Sequence, residues 1–130
     1  MQEAVENSTQ YLTDADLTAI AAYLQQLPER GHRKPEAIAA ADPQMITGKL
    51  VMESQCNACH GSDGAGVRNM IPALKDNPQV NAADVSSLMH TVLMGVEGPV
   101  TSGNPTGAGM PRFDWKMPDD DVAAVLTYIR

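Results

Sequence analysis

Large flat side chains are scarce in this chain of 130 residues, which has one Phe, one Trp and three Tyr (Phe113, Trp115, Tyr11, Tyr23 and Tyr128). Small cores lean on such rings for bulk, so something else is expected to fill the middle of this one. No stretch of about 18 consecutive apolar residues exists, which leaves no candidate for a membrane-spanning helix. The first ten residues are too polar to be the apolar stretch of a secretory signal, so no export signal is expected within the sequence. Positive charge is also short: nine Lys and Arg against sixteen Asp and Glu give a net charge of −7 and a pI near 4.7. That balance excludes counterion-release binding to nucleic acid and adhesion to an anionic lipid surface. Nothing in the sequence reads as a strand. The length allows one domain, or a small domain with an appendage.

What is present is a set of short helices separated by loops rich in Gly and Pro. Most of the ten glycines and nine prolines fall between residues 61 and 118, as expected of loops shaped around a buried object. A first amphipathic helix is predicted over 13–27, capped by Thr13 and Asp14, with Leu17, Ile20, Ala21, Leu24 and Leu27 on one stripe. From Pro28 to Pro43 the chain reads as a linker with at most one helical turn. A second helix should run from Asp42 or Pro43 to Gln55, delivering the chain into Cys56. A third is predicted over 84–94 with Val85, Leu88, Met89, Val92 and Leu93 on its apolar face, stopped by Gly95. Residues 96–116 form a long loop, and a last helix begins at Pro118 with Asp119, Asp120 and Asp121 at the positive end of its dipole.

The sequence also echoes itself. Laying Leu12–Gln25 on Met117–Arg130 matches Asp14 with Asp119, Asp16 with Asp121, Ala19 with Ala124 and Tyr23 with Tyr128. Amphipathic helices resemble one another by necessity. The sharper reading makes residues 1–42 an N-terminal helix and linker forming the tail of a preceding domain of the same kind, with the main domain at 43–130.

Cys56, Cys59 and His60 form Cys-x-x-Cys-His, the signal for covalent haem attachment: two thiols add to the porphyrin vinyl groups while the adjacent imidazole reaches the iron. A redox disulfide or half of a zinc site would use the same pair. The first calls for a strand-containing domain and the second for further ligands at matching spacing, and the sequence offers neither; His32 and His90 have no partner motif. An iron held by His60 then needs a sixth ligand, and a thioether suits an electron carrier because it raises the potential. Met45, Met52, Met89 and Met94 lie on predicted helices, where methionine usually packs. Met70, Met110 and Met117 remain; Met110, deep in the Gly-Ala-Gly-Met-Pro-Arg-Phe loop, is the favoured ligand, and Met117 is the runner-up.

With these residues in place, the chain from about residue 43 onward resembles a class I cytochrome c domain. Gly48 resembles the small residue at which the first and last helices of that family cross, and Tyr128 the aromatic that packs there. Ile71-Pro72-Ala73-Leu74 resembles the segment whose proline carbonyl accepts a hydrogen bond from the axial histidine. Asn77-Pro78, Leu88 to Gly95, Met110 to Phe113 and Val122 to Arg130 look more narrowly like the multi-haem cytochrome subunits of membrane-associated alcohol, gluconate and sugar dehydrogenases. Those carry three such domains in series, whereas this sequence has one Cys-x-x-Cys-His and lacks the C-terminal extra segment of that pattern.

The resemblance implies an all-α cytochrome c fold with three to four short helices around one covalent haem c, plus an extra N-terminal helix. Its cofactor-binding residues would be Cys56, Cys59, His60, Pro72 and Met110, with His60 and Met110 on the iron. Arg68, Arg112 and Trp115 suit haem propionates and ordinary solvated or packing roles equally well. The implied function is single-electron transfer, not catalysis. The donor would be a flavin- or quinone-dependent dehydrogenase or a neighbouring haem domain, and the acceptor a quinone or oxidase. The implied setting is the periplasm, with membrane association through segments outside this sequence. Two rivals keep the haem but change its work: a peroxidase-like enzyme with an open sixth position, and a gas-binding sensor.

Overall fold

The computed structural model describes residues 2–28 and 35–130 of the chain; His32 lies outside the described residues. The described residues divide into two compact units, one made of residues 2–28 with 97–109, the other of residues 35–96 with 110–130.

In the second unit, Pro43 opens α3 (Pro43–Val51) at a position where its missing N–H costs nothing. The carboxylate of Asp42 caps the helix by accepting from the Gln44 N–H at 2.8 Å. The helix does not stop at Gln55, as the sequence suggested. It widens into a π turn over Met52–Cys56, closed by the Asn57 N–H on the Met52 carbonyl, and continues as α4 (Asn57–His60). All three residues of the Cys-x-x-Cys-His run are therefore carried on one helical stretch. Later come α5 (Ser86–Met94), ended by Gly95, and α6 (Asp119–Ile129), which starts after Pro118.

The core lies where α3 and its π turn meet α5 and α6: Val51, Met52, Val92, Phe113, Met117, Val122, Val125 and Leu126 form one buried cluster. At the crossing of α3 with α6, a Cβ on Gly48 would lie 2.2 Å from the Ala124 carbonyl oxygen and 2.6 Å from Tyr128 Cβ. Only a residue without a side chain lets the two backbones come this close. Arg130 ties α6 to the segment before α5, its guanidinium donating to the carbonyls of Val80 (3.2 Å) and Ala82 (2.7 Å).

The first unit holds α1 (Gln2–Asn7), a 3-10 turn over Thr9–Tyr11, and α2 (Asp14–Gln25). A capping box starts α2, with Thr13 and Asp16 satisfying each other's backbone N–H groups. The predicted stripe is present, yet none of α2 is buried, and Leu17, Ile20, Leu24 and Leu27 all stand in the open.

A second expectation also fails, that nothing reads as a strand. Two short strands do exist, β1 (Val96–Glu97) and β2 (Gly109–Met110), and they pair with each other. Two residues are too few to show an alternating pattern. This ladder rests on the closure of a Gly- and Pro-rich loop, continued by the Gly98 N–H on the Ala108 carbonyl at 2.8 Å.

Candidate haem-binding site

His60 ends α4 and is only 8% exposed, the one polar side chain in the buried set among the described residues. Its Nδ1 lies 3.2 Å from the Pro72 carbonyl oxygen. A carbonyl can only accept, so Nδ1 is the donor; the neutral ring with its proton there presents the Nε2 lone pair, the form of imidazole that ligates a metal.

That carbonyl is brought in by a tight reversal. The Gly66 N–H donates to the His60 carbonyl at 2.8 Å, and Val67 and Ile71 exchange backbone bonds at 2.9 and 2.8 Å. Gly66 sits at φ +67°, where a Cβ would fall 2.3 Å from the Ile71 carbonyl oxygen and 2.7 Å from that of Pro72. Beyond Pro72, Asn77 Nδ2 donates to the Ala73 carbonyl at 2.8 Å and Asn77 Oδ1 accepts from the Gln79 N–H at 2.9 Å, pinning the segment on its other side. An open groove is lined by residues between 65 and 73 of this reversal.

The two cysteines are not bonded to each other; Cys56 is half-buried and Cys59 exposed. Burial pushes the Cys56 thiol up from its ordinary value, and Cys59 adds to the effect. Redox-active Cys-x-x-Cys pairs are marked by the opposite shift. Among the described residues, no three of His, Cys, Asp and Glu converge on a point that would hold a metal ion.

Met110 lies in β2, partly buried against the core cluster. Its path is set by Gly95 at φ +73°, where a Cβ would meet the Met110 carbonyl oxygen at 2.6 Å. Met117 is 8% exposed and belongs to the core itself, whereas Met70 is out in solvent. Met52 is buried, while Met89 and Met94, placed by the sequence on a helix where methionine packs, are largely exposed. Of the propionate candidates, Arg112 is engaged by the Asp114 carboxylate, Trp115 is 75% exposed, and Arg68 is exposed. Sequence reasoning gave no role to Gly66 or the Asn77 side chain, and gave Gly95 only that of a helix stop. The glycines were visible as residues, but the carbonyls they make room for were not.

Two unpaired thiols and an imidazole with its Nδ1 already occupied, all on one helical stretch, suit a covalently held haem. No described helix is long and apolar enough to cross a membrane.

Comparison with known proteins agrees with this chemistry. The family model described as cytochrome c matches residues 46–130. The whole chain is similar to the gluconate 2-dehydrogenase cytochrome c subunit of Pantoea cypripedii, with 35% identity over 32% of that protein's length. It is also similar to the cytochrome c subunit of the quinone alcohol dehydrogenase of Gluconacetobacter polyoxogenes, with 32% identity over 30% of that protein. A third relative is the cbb3-type cytochrome c oxidase subunit FixP of Bradyrhizobium sp. (strain ORS 278), 32% identical over 92% of this chain and 44% of that protein. The chain spans about a third of the length of the dehydrogenase subunits it matches. From the motif, the helical core and the family match together, the chain belongs to the cytochrome c family.

Proposed function

We propose that this chain carries one haem c, bonded through Cys56 and Cys59 and ligated by His60 and Met110, and passes single electrons from a dehydrogenase toward a respiratory acceptor. When bound, the haem supplies an iron that gains and loses one electron without bond-making chemistry. Around it, the Pro72 carbonyl holds the His60 ring in one tautomer and one orientation and makes its Nε2 a stronger donor. Met110, packed against the buried cluster that includes Phe113 and Met117, would supply the thioether that favours reduced iron. The single observation that carries the reading is the Cys-x-x-Cys-His run ending in a buried His60 whose Nδ1 is already spoken for.

The named relatives are cytochrome subunits of gluconate and quinone alcohol dehydrogenases and of a cbb3-type oxidase. They support a flavin- or quinone-dependent dehydrogenase, or a neighbouring haem domain, as the donor, and a quinone or an oxidase as the acceptor. Thioether maturation after export supports a periplasmic location, with membrane attachment through other segments or subunits. Residues 43–130 form the haem domain. Residues 1–42 are the tail of a preceding domain of the same kind, a reading supported by the match of Ala19 and Tyr23 on α2 to Ala124 and Tyr128, which receive Gly48 in this domain.

The test is to mature the protein in a host that attaches haem c. The expected product exceeds the bare chain's mass by one haem and shows a thioether-to-iron absorbance band when ferric. It also binds carbon monoxide poorly when ferrous. A colourless product of bare mass would refute the proposal, and rapid carbon monoxide binding without the band would favour an enzyme or a sensor.

A further inference from the structure

The loop leading into Met110 is held from outside itself. Within the loop, backbone bonds join Gly98 to Ala108 (2.8 Å) and Thr101 to Asn104 (2.9 and 3.1 Å). The amides of Val100 and Ser102 are taken instead by side chains from the start of the chain. The Val100 N–H donates to Glu6 Oε1 at 2.8 Å, and the Ser102 N–H to Gln10 Oε1 at 3.3 Å.

The two acceptors are themselves braced. Gln2 Nε2 donates to the same Glu6 oxygen at 3.0 Å, and Gln10 Nε2 donates to the Glu6 backbone carbonyl. Gln2, Glu6 and Gln10 stand four residues apart, so they line one side of α1 and the turn after it. Successive acceptors on that strip meet alternate amides of the loop. Because one acceptor is a carboxylate, its bond to the Val100 amide is charge-assisted and stronger than a neutral one. The Glu6 carboxyl is held below its ordinary range, first by that backbone bond and then by Gln2.

The loop has little else to define its shape. Gly98, Pro99, Gly103, Pro105 and Gly107 offer few side chains to bury, and it runs through β2 directly into Met110. A long glycine-containing loop left to itself samples many conformations, and each one that moves its end takes Met110 with it.

We propose that Glu6 and Gln10 are positioning residues for the sixth iron ligand: by clamping Val100 and Ser102 they restrict the loop and slow the release of Met110. This rests on Met110 being that ligand.

The test compares the full chain, matured with haem, with its Glu6→Ala/Gln10→Ala variant, using Glu3→Ala on α1 as the control and Glu6→Gln, which keeps an acceptor oxygen, as the conservative rescue. Carbon monoxide can bind ferrous iron only while Met110 is off, so its binding rate reports the dissociated population. Two exposed hydrogen bonds predict a rise of roughly three- to tenfold in the double variant, little change in Glu3→Ala, and most of the effect at position 6 recovered by Glu6→Gln. The ferric thioether band should also be lost at lower denaturant in the double variant.

Full haem content with an unchanged rate and band would overturn the clamp while leaving the electron-carrier reading intact. A haem-free parent would take both down. Should the double variant fail to mature, amide exchange in the unaltered protein decides: Val100 and Ser102 protected relative to Gly103 supports the clamp, and equal exchange overturns it.

Discussion

Met110 and Met117 share a segment and each precedes a proline, but their surroundings differ. Met117 is sealed in the core with Phe113 and Val122, so its thioether is a space-filler there. Met117→Leu should cost less than about 1.5 kcal/mol, as volume-conserving core swaps do, and leave the ferric thioether band in place. Met110→Leu should abolish that band and open ferrous iron to carbon monoxide at full haem content, which optical spectra of the two purified variants would check. The haem motif was legible because its chemistry is local, in the Cys-x-x-Cys-His spacing, whereas a methionine in a Gly- and Pro-rich loop only nominates itself as a ligand. Pro72 came from family resemblance alone, since nothing in a proline says that its carbonyl will stand 3.2 Å from an imidazole. Glu6, Gln10 and Arg130 were invisible. Each acts by a side-chain bond to backbone 48 to 94 residues away, and such a bond leaves no periodic trace in the sequence.

Elements depend on how closely their backbones can approach, and the α3–α6 crossing is the sharpest case. A methyl group on Gly48 would meet the Ala124 carbonyl oxygen at 2.2 Å, a backbone atom that cannot swing aside. The helices must then separate, and the buried cluster that Val51 of α3 shares with Val125 and Leu126 of α6 loosens. Gly48→Ala should therefore destabilise the matured protein toward the upper end of the roughly 1–3 kcal/mol typical of overpacking, despite the helix propensity that Ala gains. Denaturant unfolding followed by far-ultraviolet circular dichroism would measure it, and a variant as stable as the parent would contradict the crossing. The sequence carried most of the helices, because apolar period and caps are enough for α2, α5 and α6. It ended the helix from Pro43 at Gln55 instead of carrying it through to His60, because a π turn shifts the spacing and blurs the period at Met52–Cys56. It also could not tell whether a stripe is covered: α2 and α6 share their pattern, yet α6 is built into a core and α2 has none of its residues buried.

At the scale of the whole molecule, acid gives the most discriminating prediction, because net charge and individual carboxylates pull in opposite directions. With a charge of −7, lowering the pH toward the pI first relieves self-repulsion, which favours the folded chain. Three carboxyls oppose this lower down, each held below its ordinary value in the fold. Glu6 is lowered chiefly by the Val100 N–H, Asp84 by bonds from Ser86 at the start of α5, and Asp114 by Arg112. A group with a depressed folded pKa adds stability that is complete above its unfolded value and disappears as pH falls through its folded one. The ordinary values are 4.5 for Glu6 and 3.8 for Asp84 and Asp114, so the loss belongs below about pH 4. All three groups are solvent-exposed, which keeps each contribution small, but their placement is uneven: Glu6 clamps the loop before Met110 and Asp114 braces the turn after it. Helices α3 and α6 meet through an apolar seam that does not titrate. Acidification of the ferric matured protein should therefore leave stability flat or slightly rising from neutrality to about pH 5, then remove the thioether band before the helical dichroism falls. Glu6→Gln should shift the loss of the band without moving the loss of helix. Coincident loss of both signals, or loss of helix first, would mean that the Met110 segment is held by something other than these carboxylates.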